Sequence, residues 1–364
     1  MTDSCQIVRH ESFEGLKKNW KSLLRKSPAT TFFQEYDWLS SWWKFYGSPS
    51  ELCILLCIKE NEIIGIAPLM VKRVARKRIP KKVLSFIGTG VSDYLDFIVK
   101  EDHEKMVLFE FFKYIKEHRK EWDVVELFDV PQTSKLNLLI SDLANRAGLV
   151  SYTEETSFCP YICLPSSWEE FLASLRSHSR SNMKRKAKLL RNKSNIKFEK
   201  ASSIECQRYM KDFLDLHEKR RSAKGSEPLK ENFKKFMVEI SQRLSDQINL
   251  TFLNVDGRLL AGMLTFDYHD SRNFYLVGWE PDSEILSPGH NLIQNQLQDA
   301  MKKGIHTFDF LRGDENYKYD YTRLQRTNRD HRLFGSRSEL KSYLLIKKII
   351  VKVSQYVSRS QRRH

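Results

Sequence analysis

Residues 251–264 read TFLNVDGRLLAGML: an apolar run, the pair Asp256-Gly257, then a second apolar run containing Gly262. This is a hairpin signal, because Asp-Gly supplies the positive φ that a tight turn between strands requires. The same pattern occurs earlier. Residues 55–69 read LLCIKENEIIGIAPL, again strand, polar turn and strand with a small residue. Working outward, each hairpin is followed by a further strand (YLDFIV at 94–99, NFYLV at 273–277). An amphipathic helix comes next, near 105–118 and 290–303, then a buried strand (WDVVELF at 122–128, HTFDFL at 306–311). A repeat of this length predicts two like domains. Only the second copy closes on the polar run RGDENYK at 312–318, so the copies are expected to differ in role.

The chain has 364 residues, enough for two domains that each bury a core. A hydrophobic fraction of 41% excludes general disorder. No stretch approaches the roughly 18 apolar residues of a membrane span. The N-terminus lacks the basic start and apolar run of a signal peptide, so the sequence predicts a cytoplasmic protein. Six cysteines (5, 53, 57, 159, 163 and 206) show no zinc-like pairing and read as buried, reduced thiols.

The net charge of +15 is concentrated. Residues 72–82 hold seven Lys/Arg and residues 176–193 hold eight, with no acid in either stretch. Residues 331–364 hold nine against Glu339 alone. Such patches point to anionic partners at particular surfaces: nucleic acid, acidic lipid, a phosphorylated cofactor or an anionic polymer. The aromatic stretch with Trp38, Trp42 and Phe45 gives one helical face, expected to dock on the core. Residues 168–193 predict one basic helix with a capping box at its start. The tail places Ile346, Ile349, Ile350, Val353 and Val357 at helical spacing beside lysines. It would pack on the body or lie on an anionic membrane.

Phe33-Gln34 with Trp38 and Trp42-Trp43, Asp93-Tyr94, Leu216-His217 with Arg220-Arg221 and Gly225, residues 287–292 (SPGHNL) and residues 313–318 (GDENYK) occur in an order that resembles the GNAT acyltransferases. Two such cores in one chain resemble the FemABX-like transferases, and the details look most like the CelD type linked to polysaccharide synthesis. The resemblance implies an α/β (α+β) fold of two tandem GNAT-like domains, each a mixed, mostly antiparallel sheet flanked by helices. The implied division is 1–155 for an acceptor-side domain, 156–330 for the acyl-donor domain and 331–364 for a basic amphipathic tail.

It implies acyl-CoA as co-substrate and transfer to an amine or hydroxyl, such as that of a sugar in surface polysaccharide or glycan. Pro288, Gly289, His290 and Asn291 would hold the donor's phosphates on helix N–H groups, with Arg312 and Lys318 assisting. Asn291 departs from the basic residue or Gln usual in that loop, and the first copy's loop at 99–103 has no Gly. Asp93 or Asp314 would be the base and Tyr317 the acid to the leaving group. Tyr94, Asp96, His217, Arg220 and Arg221 would contact the acceptor. No metal is expected. The alternatives are a FemABX-type transferase using aminoacyl-tRNA, a nucleic-acid-binding protein and a non-enzymatic scaffold.

Overall fold

A computed structural model describes residues 5–76, 79–193 and 195–361, with the backbone alone over 75–76, 79–80 and 351–361. Lys77 and Arg78, within the first basic stretch, lie outside the described residues, as do 1–4, 194 and 362–364. The first half contains β1 (Gln6–His10), α1 (Lys17–Leu24), α2 (Tyr36–Tyr46), β2 (Glu51–Lys59), β3 (Glu62–Arg76), β4 (Ile79–Phe86), β5 (Ile98–Val99), α3 (Glu104–Glu117), β6 (Val124–Val130) and α4 (Leu136–Arg146). Then follow β7 (Val150–Cys163), α5 (Trp168–Ser174), α6 (Ser177–Arg191), β8 (Ile196–Lys200), α7 (Cys206–Ala223), α8 (Glu231–Arg243), β9 (Ile248–Val255), β10 (Arg258–Tyr268), β11 (Ser271–Trp279), α9 (Pro288–Lys302), β12 (Thr307–Asp309), β13 (Gln325–Phe334) and α10 (Arg337–Gln361).

One sheet runs through the molecule in the order β1-β2-β3-β4-β6-β13-β7-β12-β11-β10-β9-β8, with β5 on β3. Each half contributes four antiparallel strands, β1 to β4 and β8 to β11, followed by a parallel partner. These parallel pairs are β4 with β6 and β11 with β12. The last strand, β13, lies between β6 and β7 and pairs with both, so the chain's end is woven into the join. Among the described residues the fold is mixed α/β with helices flanking the sheet, as the repeat predicts.

Although each lies only one strand in from an edge of the sheet, β2 and β9 are buried along most of their length and read as continuous apolar runs. Helices come close where side chains are missing. A Cβ on Gly278 of β11 would stand 2.3 Å from the backbone N of His217, so α7 lies directly on that strand. The early aromatic stretch forms the contact between halves: Phe32 stacks on Phe266 at 4.0 Å, and Trp38 meets Phe236 at 4.9 Å edge-on. Burying each such ring contributes about 1.5–3 kcal/mol, which makes this face a major part of the inter-half core.

Three local expectations change. The third strand of the first copy is β4, whose residues 79–86 pair with residues 69–76 of β3. Of residues 94–99 only Ile98 and Val99 pair, against Ile66 and Gly65 of β3. The basic helix at 168–193 is two helices, broken where Leu175 and Arg176 turn extended. Cys163 is exposed and Cys5 half-buried, while the other four thiols are buried; all six are free.

Candidate functional site

The site begins where two parallel strands part. β11 and β12 are paired only from Ser271/Thr307 to Asn273/Asp309. β11 then continues to Trp279, while the other segment bends at Leu311 (φ +57°) and passes into a short 3-10 turn, Asn316–Asp320. The cleft between them is closed at one end by the start of α9. Arg272, fully buried, fixes that helix: it donates to Asp299 and to the carbonyl of Gln296 on α9, and to Asp267 on β10.

The start of α9 is shaped for an anion. Ser287 is left-handed (φ +50°), Pro288 opens the helix, and no side chain caps it. The first turn's amides therefore lack an internal acceptor, and the helix dipole adds positive potential there. Gly289 lets this turn lie against Trp279, since a Cβ would stand 3.1 Å from the indole. Pro288, Gly289, His290, Trp279 and Tyr317 line a cavity of about 280 Å3.

Three cations and one acid, Glu284, share this cavity. The Arg220 guanidinium lies 4.4 Å above the Trp279 ring, with the Lys224 ammonium 5.1 Å from it. Among the described residues no carboxylate lies within ion-pair distance of Arg220, and its Nε has no hydrogen-bond partner. Burial lowers its pKa from the usual value, so the charge is held at a cost that an anion would offset. Lys186, on α6, donates to His290 Nε2 at 2.7 Å. That leaves the His290 proton on Nδ1, donated to the Tyr321 hydroxyl at 2.8 Å. Burial, and then Lys186, push His290 down to about 4, so it stays neutral. Tyr317 is raised above its ordinary value by burial and remains a proton donor at neutral pH.

A second cluster lies where the halves meet. The Arg312 guanidinium stands between Asp93 Oδ1 (3.2 Å) and Asp129 Oδ1 (2.6 Å). Burial outweighs this pairing and pushes Asp93 up to about 7 and Asp129 up to about 6. Asp93 keeps 14% of its side chain exposed. Tyr94 donates to Asp309, which is fully enclosed and also accepts from Arg326 and the Leu311 amide.

The structure therefore separates the residues picked from sequence. Pro288, Gly289, His290, Arg220 and Tyr317 share the cavity, while Asp93, Tyr94 and Arg312 share the inter-half cluster. Asn291 turns inward and donates to the Leu286 and Ser287 carbonyls, tying the loop together. Lys318 is 2% exposed; it donates to the carbonyls of Leu311, Arg312 and Gly313 and pairs with Glu315, holding the bend rather than facing the cavity. His217 is buried, bonded through Nδ1 to the Val277 carbonyl, and joins α7 to β11. Arg221 donates to the Glu227 carbonyl beyond α7. Asp314 is exposed and accepts from Tyr319. The Asp96 carboxylate accepts from the Phe97 amide, and burial pushes it up to about 7.

Lys186 belongs to the basic stretch 176–193 that the sequence assigns to anionic partners, whereas Asp129, Lys224 and Trp279 were missed. Of these three, Trp279 carried a signal, an aromatic residue ending a strand just before the Pro-Gly loop.

A family model described as an acetyltransferase (GNAT) domain matches residues 177–319, which include the cavity's helix start, cations and strand. No curated protein matches the chain. Among solved structures, FemX superposes with a TM-score of 0.62 at 12% identity, over 89% of this chain and 96% of that one. L-PGS from Bacillus licheniformis gives 0.54 at 10% identity, over 92% and 96%. A tandem GNAT protein from the clavulanic acid biosynthesis pathway gives 0.50 at 7%, over 90% and 98%. The chain thus has a tandem-GNAT-like fold, and its residues 177–319 are similar to a GNAT-type acetyltransferase domain.

Proposed function

We propose that the protein transfers an acyl group from a phosphate-bearing thioester, acyl-CoA, to an amine or hydroxyl. The observation that carries this reading is the half-buried Arg220 guanidinium, with no carboxylate within ion-pair distance among the described residues, beside an uncapped helix start in a strand cleft. The donor's phosphates would lie on the first amides of α9, with Arg220 and Lys224 over Trp279 completing their partners. Lys186, held by His290, adds a third positive group.

The acceptor's nitrogen or oxygen would attack the thioester carbonyl directly. Its proton passes to Asp93, the carbon–sulfur bond breaks, and Tyr317 gives its proton to the departing thiolate. Asp93 suits the base role better than Asp314 because it is partly enclosed and titrates near neutrality. Arg312, paired with Asp93, and Tyr317, in the cavity wall, belong to one short segment that links base and acid. A glycan sugar as acceptor rests on the CelD-type resemblance alone. A second reading, aminoacyl-tRNA as donor, is favoured by the exposed basic face of α6 formed by Lys184, Arg185, Lys188 and Arg191 beside the cavity.

The tail supports a location at a membrane surface. The first half of α10 is anchored, with Tyr343 packed on Phe334 and Tyr152 and Lys347 paired with Glu154. On the same stretch Leu345, Ile346, Ile349 and Ile350 are exposed, and no acid follows Glu339. An apolar stripe among lysines matches an anionic lipid surface.

Three outcomes are expected. Calorimetric titration should give saturable CoA and acetyl-CoA binding, weakened roughly 10- to 100-fold in Arg220→Ala, the loss of a charge-assisted contact worth about 1.5–3 kcal/mol. Binding of charged tRNA with no response to CoA would transfer the case to the second reading. Acetyl-CoA turnover with an amine acceptor should rise as pH passes 7, because the base works only when ionised; Asp93→Asn should lose most activity and that limb, and an unchanged profile would exclude Asp93. The full chain should co-sediment with phosphatidylglycerol vesicles but not with phosphatidylcholine ones, and Ile346→Glu/Ile350→Glu should abolish this. Equal sedimentation of both proteins would dismiss the membrane role.

A further inference from the structure

A second cavity, of about 540 Å3, lies at the opposite end of α6 and has no part in the chemistry above. α6 is a 15-residue helix whose N-cap, Arg176, supplies no side-chain acceptor. The first amide of this turn to find a backbone acceptor is that of Arg180, bonded to the Arg176 carbonyl. The amides before it carry the helix's positive end.

A helix start alone is a weak reason to expect a ligand, but a side chain points the same way. Ser179 is 6% exposed and lines the cavity, yet its hydroxyl has no hydrogen-bond partner among the described residues. The hydroxyl opens into the cavity, so its hydrogen-bonding capacity is free for a ligand there. Arg176 and Arg323 line the same space, and neither has a carboxylate within ion-pair distance among the described residues. The acid present, Asp320, is engaged by Asn182 at 3.4 Å and Lys186 at 3.8 Å. Phe171 and Leu175 give the cavity an apolar wall.

We propose that this cavity binds the phosphate or carboxylate of an organic anion with an apolar body. The anion would lie on the α6 amides, Ser179, Arg176 and Arg323, with its body against Phe171 and Leu175. The two cavities share a helix: Ser179 and Lys186 are seven positions apart, roughly 10 Å along α6. They also share a wall segment, since Asp320 and Tyr321 border this cavity while Tyr321 bonds His290 of the other. The second cavity is thus an anchor for a substrate whose reacting end lies at α9, a role that rests on the acyl-transfer reading; the anion site itself does not. Two sources fit one chemistry: a distal phosphate of the donor, or an anionic group of the acceptor.

Phenyl phosphate, an anion on an apolar body, is the probe. It should bind wild type saturably and at least tenfold more weakly to Arg176→Glu/Arg323→Glu, with thermal melting confirming that the variant is folded. Should that variant not fold, Ser179→Ala should weaken phenyl phosphate about threefold. An acceptor source predicts that phenyl phosphate still binds with CoA at saturation. A donor source predicts that CoA displaces it while dephospho-CoA does not, and that the charge reversal removes the affinity difference between those two. The proposal is overturned if phenyl phosphate does not bind, or binds wild type and variants alike while the CoA to dephospho-CoA ratio stays unchanged. A protein that binds no CoA would sink the donor reading, yet the phenyl phosphate titrations would still decide on the anion site.

Discussion

The carboxylate of Asp309 holds the point on which the architecture turns. It ends the short β11–β12 pairing, and its side chain is almost entirely enclosed. It accepts from the Leu311 amide at 2.7 Å, which stabilises the left-handed bend that a leucine adopts unwillingly. It also accepts from Tyr94 of the first half and Arg326 of β13. One group therefore sets where the strands part, which way the following segment turns and how the last strand crosses the join. Buried pairs of this kind cost about 3–5 kcal/mol when one member is lost, because the other is left uncompensated. The cavity at α9 exists because the strands separate at this residue.

From that point the two charge clusters divide the work. Arg312 stands between Asp93 and Asp129, so the first half contributes its carboxylates to a segment of the second. Lys318 draws three carbonyls and Glu315 around itself, which fixes the same segment from below. Arg220, by contrast, lies over an aromatic ring with no carboxylate within ion-pair distance among the described residues. Charges that satisfy one another shape the fold, and on the proposed reading the unpaired one is where a ligand's anionic group would lie.

Much of this was legible in the residues. The second copy's hairpin, third strand, helix and buried strand all lie where periodicity and turn chemistry placed them. The third strand of the first copy was misplaced because YLDFIV is apolar enough to be a strand, while the true strand carries Lys81 and Lys82 and looks like a loop. The break at Leu175-Arg176 has neither Pro nor Gly to announce it. The site was legible in part. The resemblance pointed to Gly289 and Tyr317, which both line the cavity, but the inward turn of Asn291 and the carbonyls around Lys318 depend on loop geometry that no local pattern encodes. His217 and Arg220 sit three positions apart on one helix, yet one packs on β11 and the other reaches the cavity.

The most direct test of the central claim is a crystal structure of the protein with CoA. The account predicts the pyrophosphate on the amides of Gly289 and His290, with Arg220 within hydrogen-bond distance of a phosphate oxygen and the pantetheine arm entering between β11 and the segment after β12. A CoA bound elsewhere, with Arg220 still resting on Trp279 and the cleft filled by side chains, would contradict it.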